Sequence, residues 1–332
     1  MSTAGAIRIG ISGWTYKPWR GVFYPKGLPQ KRELAYAASS FPSIEINGTF
    51  YGLQMPQNFD TWRETTPDDF VFAVKGSRYI THMKRLRDVE IPLANYLASG
   101  LLNLRHKLGP VLWQFPPRMR FDPARFETFL KLLPKDTEEA ASLARKHDAR
   151  LDGRSATETD TSRPLRHAFE IRHESFACAE FIEMLRHYGA ALVVADTVEW
   201  PLLMDLTADF VYCRLHGAQE LYVSGYDDGA LDNWAALVRA WARGEDPSQA
   251  KRVLQGSSPR PGGRDVYVYF DNDAKVRAPA DAASLIRRLG LNPLLPAKCP
   301  LHPLLHSHAF NSAMDCSRDS RSSRLIRRSD ML

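Results

Sequence analysis

FVYCRLHG, residues Phe210–Gly217, holds both the architecture and the chemistry of this chain in one short run. Successive side chains of a strand point to opposite faces, so Tyr212, Arg214 and His216 share one face and Val211, Cys213 and Leu215 the other. The apolar face needs a cover. A face of arginine and histidine is expensive in a dry core unless its groups pair or stay hydrated. A barrel strand meets both demands: helices cover its outside, and its polar side chains point inward near the C-terminal mouth.

Seven further runs have a similar length and are mostly rich in Val, Ile, Phe and Tyr. They are Ile7–Trp14, Ser43–Tyr51, Phe70–Gly76, Pro110–Phe115, His167–Arg172, Ala190–Thr197 and Asp265–Asn272. Helical spacing lies between most of them, over Gln30–Phe41, Asp122–Leu133 with its Asp-Pro start, Phe176–Tyr188 before Gly189, Ala230–Ala242, and Pro279–Leu289 before Gly290. Strands alternating with helices imply parallel pairing through right-handed crossovers. Eight such units close into a (β/α)8, TIM-barrel-like α/β fold with no free sheet edge. The competing architecture is an open doubly wound sheet; eight runs in one chain of 332 residues favour closure.

Three stretches depart from the repeat. Lys84–His106 reads as a long helical segment. Lys135–Pro164, a polar insertion at about 135–165, begins helically and then turns polar with a mobile tip. Val198–Asp209 offers a short helix at best. The expected organisation is one barrel domain over residues 1–292 and a disordered basic tail over 293–332.

Composition narrows the function classes. A hydrophobic share of 44% and a charged share of 25% are ordinary for a globular protein. The net charge of +6 is a weak sign of a polyanionic partner, because part of it sits on tail arginines. The four cysteines form no C-x-x-C pair, which argues against a disulfide framework or zinc ribbon and fits a cytoplasmic location. Met1–Ile11 carries no signal-peptide pattern, and no run approaches the ~18 apolar residues of a membrane span, so no membrane partner is expected.

The polar strand residues converge on one mouth. Glu45, Asn47 and Thr49 share a face of the second run, and Glu170 and Arg172 a face of the fifth. Lys75, Gln114 and Asp196 stand near the ends of the third, fourth and sixth runs, and Asp271 and Asn272 end the eighth. Glu45, Glu170, His216 and Asp271 are the candidate catalytic residues, with the glutamates as an acid/base pair. Trp14, Asn47, Thr49, Tyr51, Lys75, Gln114, Arg172, Asp196, Arg214 and Asn272 are the candidate substrate-binding residues. Among them Lys75, Arg172 and Arg214 suit a phosphate or carboxylate. A buried structural ion-pair network is the competing reading for any one of these residues. A set drawn from most strands favours a ligand.

No cofactor is expected. The best metal candidates, Glu45, Glu170, Asp196, His216 and Asp271, include just one histidine, and no phosphate-cradling or dinucleotide fingerprint occurs. Aromatic residues from Trp14, Tyr16, Trp19, Phe23 and Tyr24 through Phe50, Tyr51, Trp113 and Phe115 to Tyr222 and Tyr226 crowd the same region. Such rings stack on sugars or unpaired bases, although most are expected to pack the rim.

GISGW (Gly10–Trp14), FYP (Phe23–Pro25), EINGTFY (Glu45–Tyr51), FAVK (Phe72–Lys75), QFPP (Gln114–Pro117), EIRH (Glu170–His173), VYCRLHG (Val211–Gly217) and YVYFDND (Tyr267–Asp273) occur in this order. Together they resemble the YecE-like family, domain of unknown function 72, over roughly residues 7–290. The resemblance implies a barrel in a bacterial cytoplasmic protein and no established reaction. Likeness of some members to barrel endonucleases and sugar isomerases is fold analogy. The leading expectation is a hydrolase or lyase acting on a phosphorylated or sugar-containing compound, with a small anionic or sugar-like ligand. The alternatives are a nucleic-acid processing protein and a non-catalytic binder of a small anion.

Overall fold

Eight parallel strands pair in sequence order and close on themselves: β1 (Ile7–Ser12), β2 (Ser43–Ile46), β3 (Val71–Lys75), β4 (Leu108–Gln114), β5 (His167–Glu170), β6 (Ala191–Asp196), β7 (Phe210–Leu215) and β8 (Asp265–Phe270). The computed structural model describes residues 4–217, 221–247, 250–254, 262–272 and 276–291. Closure runs from Ile7 opposite Val266 to Ile11 opposite Phe270. The barrel expected from sequence is therefore present, and seven of the eight runs contain a strand; the fourth, Pro110–Phe115, overlaps β4, which begins earlier at Leu108. The expected tail, 293–332, lies outside the described residues, as do Cys299 and Cys316.

The helices of the described residues are α1 (Glu33–Ala38), α2 (Gly48–Tyr51), α3 (Pro56–Thr65), α4 (Glu90–Ala98), α5 (Pro123–Leu132), α6 (Thr137–Ala144), α7 (Ala179–Tyr188), α8 (Asp228–Ala242) and α9 (Arg277–Leu289). Local chemistry sets their ends. Asp122 caps α5 by accepting from the Arg125 N–H at 3.1 Å, and Gly189 stops α7 in the left-handed conformation. None of these helices is long and apolar enough to cross a membrane.

Strand alternation divides the core in two. Ile9, Ile44, Phe72, Trp113, Phe169 and Val268 face outward and pack beneath the helices. Val71, Ala73, Ala168, Ala191, Phe210, Tyr212, Tyr267 and Tyr269 fill the interior. The large tyrosines stand on β7 and β8, and alanines stand on β3, β5 and β6, so bulky and small residues complement one another within the barrel. Each interior hydroxyl needs a partner. Tyr269 lies 2.7 Å from Ser43 Oγ, and Tyr267 accepts from Arg166 at 3.3 Å.

Several local expectations are corrected. The second strand ends at Ile46, and residues 48–51 form α2. Alternation therefore does not carry past Glu45 to Asn47 and Thr49. Lys84–His106 is not one helix: Arg85, Leu86 and Asp88 adopt positive φ, α4 follows, and Gly100 separates it from a 3-10 segment, Leu101–Lys107. The polar half of the insertion is tied to the body. Ala156 N–H donates to Ala98 O at 2.8 Å, and Thr137 donates to Thr161 O at 2.8 Å. The link between β6 and β7 contains no helix, which fits the weak helical pattern of Val198–Asp209.

Candidate functional site at the barrel mouth

Arg214 on β7 is the hub of the interior. Its fully buried guanidinium donates through Nε and Nη2 to the two oxygens of Glu45 at 3.1 and 2.9 Å, through Nη1 to Glu170 at 2.6 Å, and through Nη2 to Asp271 at 2.8 Å. Glu45 also accepts from Ser12 at 2.9 Å and Tyr212 at 2.7 Å. Glu45, Glu170, Arg214 and Asp271, four of the residues expected at the mouth, thus meet there, joined by Ser12 of β1 and Tyr212 of β7.

A second cation secures the other side. Arg172 donates from Nε to Glu170 at 2.9 Å and from Nη2 to the Tyr222 hydroxyl at 3.1 Å. Its guanidinium carbon lies 3.7 Å from the centre of the Trp200 ring. This combination of carboxylate fork and aromatic face suits arginine rather than lysine. Tyr222 holds this position with φ 61°, a left-handed conformation that costs energy for a tyrosine.

The electrostatics decide which groups can exchange protons. Burial pushes the Glu170 carboxyl up, but the guanidinia of Arg214 and Arg172 override it and hold the group well below the usual carboxylate range. For Asp271, burial is overridden by Arg214 and His216, and the carboxyl falls to about 2. His216 Nδ1 lies 3.2 Å from Asp271 Oδ2, a polar contact that favours the carboxylate. Burial lowers His216 itself and keeps it neutral. The two guanidinia thus favour the ionised form of Glu170, and Glu45 accepts from Ser12, Tyr212 and Arg214. Asp271 retains 14% side-chain exposure and is the carboxylate of this cluster that a ligand can reach.

Lys75 ends β3 on the inward face. Its backbone carbonyl accepts from Thr49 Oγ1 at 2.6 Å, and its neighbour Gly76 leaves room for the Trp113 ring, which a Cβ would meet at 2.4 Å. The ammonium lies 4.5 Å from the centre of the Phe50 ring. Among the described residues it has no hydrogen bond or ion pair. Burial, then the charge of Arg214, pushes it down to about 8.

Other expected residues are placed differently. Asp196 is held by the Trp234 indole N–H at 3.2 Å, toward α8, and Asn272 donates to Asp281 of α9 at 2.8 Å and to Ser224 O at 3.0 Å. Both stand on the outward parity of their strands and tie the barrel to its helices. Thr49 positions Lys75, and Asn47 precedes α2 with its Oδ1 buried and unbonded. Trp14 packs edge-on against Trp62, and Tyr51 lies on the surface at 69% exposure. Gln114 is buried at the end of β4, opposite Glu170 in register, with Oε1 unbonded. Trp19, Phe23 and Tyr24 pack on one another, as most of the aromatic group was expected to do.

Sequence reasoning missed Ser12, His82 and Trp200. Alternation on β1 would have found Ser12. His82 packs edge-on to Phe50, and burial, then Arg172 and Lys75, lower it to about 4. It lies in a π-helical turn, and Trp200 in the helix-free link; neither segment has a periodic signal.

Comparison with known proteins agrees with this fold. A family model described as "Protein of unknown function DUF72" matches residues 8–303. Over 122 residues, 33% of the chain, the sequence is 33% identical to UPF0759 protein YunF of Bacillus subtilis (strain 168). Over 123 residues, again 33% of the chain, it is 31% identical to UPF0759 protein YecE of Escherichia coli (strain K12). These matches span 40% and 43% of the two relatives, less than half of either. The crystal structure of a DUF72 family protein from Thermotoga maritima MSB8 superposes with a TM-score of 0.64 at 24% identity, covering 86% of this chain and 99% of that one. One from Enterococcus faecalis V583 gives 0.61 at 17% identity, covering 88% and 99%. With the family model matching almost the whole barrel, from the first strand to beyond the last helix, the chain belongs to the DUF72 family.

Proposed function

We propose that the barrel mouth binds a small anionic or sugar-like compound and acts on it as a hydrolase or lyase. One observation carries this reading: at the rim of a saturated ion-pair cluster, buried polar groups have no hydrogen-bond partner among the described residues. They are Gln114 Oε1 and His216 Nε2, and beside them the Lys75 ammonium lies against the Phe50 ring with no hydrogen bond or ion pair among the described residues. An unsatisfied buried polar group costs on the order of 1–3 kcal/mol, and a ligand that bonds to it recovers that cost. Arg172 and Lys75 supply positive charge for a phosphate or carboxylate. Asp271 is an anion with access to solvent, within reach of a bound ligand's hydroxyl groups. Glu45 and Glu170 keep Arg214 and Arg172 in place rather than acting as an acid/base pair. The test is turnover of a panel of phosphorylated sugars, with products read by mass spectrometry. Product formation that is lost in Asp271→Asn and Arg172→Met supports the reading, and a panel that neither binds nor turns over overturns it.

A non-catalytic anion-binding protein is the second reading, favoured by the way Arg214 and its donors occupy both glutamates. Ligand-induced thermal stabilisation with no product from the same panel would select it.

A further inference from the structure

We propose that Lys75 is the nucleophile of the mouth and forms an iminium with the carbonyl carbon of an anionic aldehyde or ketone. This rests on the reading of the mouth as a small-anion site and names the reactive group of the substrate.

The argument begins with what Lys75 does not do. The cluster offers three carboxylates, and a lysine serving charge balance would touch one. Arg214 takes Glu45, Glu170 and Asp271 instead, at 2.6–3.1 Å. Lys75, only 9% exposed, is left against the Phe50 ring with no ion pair or hydrogen bond among the described residues. A buried amine without a counter-ion is a poor structural element and a good nucleophile. Its position is controlled. The Lys75 carbonyl is gripped by Thr49 at 2.6 Å and Tyr96 at 3.4 Å, and the Gly76 N–H donates to Leu112 O at 2.7 Å.

The surroundings favour the neutral amine. Burial and Arg214 lower its basicity, against the opposing carboxylates of Glu45, Asp271 and Glu170. At neutral pH about one molecule in ten then carries the free amine, far more than at a solvated lysine. The lone pair attacks the carbonyl carbon, the C–N bond forms, and the π pair moves to oxygen. The amine carries two hydrogens: one leaves with the oxygen, which takes a second proton from solvent to depart as water, and the other remains on the iminium nitrogen. No oxidant or reductant is needed. The iminium then accepts the electron pair released when a neighbouring C–H or C–C bond breaks, and water takes the proton; this is lyase chemistry. Arg172 holds the anionic end, since its Nε and Nη2 are engaged and Nη1 has no hydrogen bond among the described residues.

The test is reductive trapping. Wild-type protein is incubated at neutral pH with pyruvate or dihydroxyacetone phosphate and sodium cyanoborohydride, and its peptides are mapped by mass spectrometry. Labelling of Lys75 is expected to exceed that of the exposed Lys17 and Lys26 by about tenfold or more, given its larger neutral fraction. It should disappear in Lys75→Arg, which keeps the charge, and fall when inorganic phosphate competes. Labelling confined to surface lysines overturns the proposal. If inorganic phosphate still raises the melting temperature of wild type but not of Arg172→Met, the anion site survives that failure. If phosphate has no effect either, both readings fall.

Discussion

Replacing Lys75 by methionine is predicted to stabilise the protein at neutral pH. The ammonium is buried, touches no carboxylate and rests on a phenyl face. The fall of its pKa from 10.5 to about 8 equals about 3 kcal/mol of folding free energy spent on keeping it charged. Methionine fills a similar stem volume without the charge. The lost ring contact returns roughly 1 kcal/mol, so a net gain of about 2 kcal/mol is expected. The sign follows from linkage. The folded pKa lies below the unfolded one, so the penalty is complete below about pH 8. As pH rises from there toward 10.5, the folded wild type sheds its proton first and gains stability, and the advantage of Lys75→Met shrinks away. Urea denaturation of both proteins at neutral pH and near pH 10 measures this directly. A variant less stable than wild type at pH 7, or an advantage that does not shrink with pH, would refute the burial argument. Such a gain in stability at the expense of chemistry is characteristic of functional sites.

Arg214→Met is predicted to destabilise by at least ~3–5 kcal/mol, because it leaves three carboxylates buried without their shared cation; chemical denaturation checks it, and a loss under 1 kcal/mol would show that the cluster is hydrated. Acid sensitivity should begin before the carboxylates titrate. His167 is buried and lowered to about 4, so the unfolded chain protonates first as pH falls below 6.5, and roughly 3 kcal/mol is lost by about pH 4. A urea midpoint unchanged between pH 7 and 5 would contradict this. The depressed carboxyl of Asp271 adds a further loss as pH falls from 3.8 toward about 2.

Much of the barrel was legible because strand alternation and helical spacing are local. Tyr212, Arg214 and His216 could be assigned to one face from eight residues alone. The reading went astray where the period ended. Gly48 opens a helical turn, so the face shared by Glu45 does not extend to Asn47 and Thr49. Asp196 and Asn272 stand near the strand ends at the mouth, but the inward parity of Val193, Ala195 and Tyr269 turns both outward. What sequence could not supply was reach. Arg214 bonds to residues 169, 44 and 57 positions away, and only the closed barrel shows that one guanidinium occupies both glutamates. Trp200 and His82 were hidden for a different reason: they stand in non-repeating segments, where no neighbour predicts their direction.

Thermal unfolding in a titration of inorganic phosphate tests the small-anion mouth most directly. The predicted result is a rise in melting temperature for wild type that grows with the logarithm of phosphate concentration, worth about 2.7 kcal/mol at a hundredfold excess over Kd, and its loss in Arg172→Met and Lys75→Met. No rise in wild type, or an equal rise in all three proteins, would contradict it.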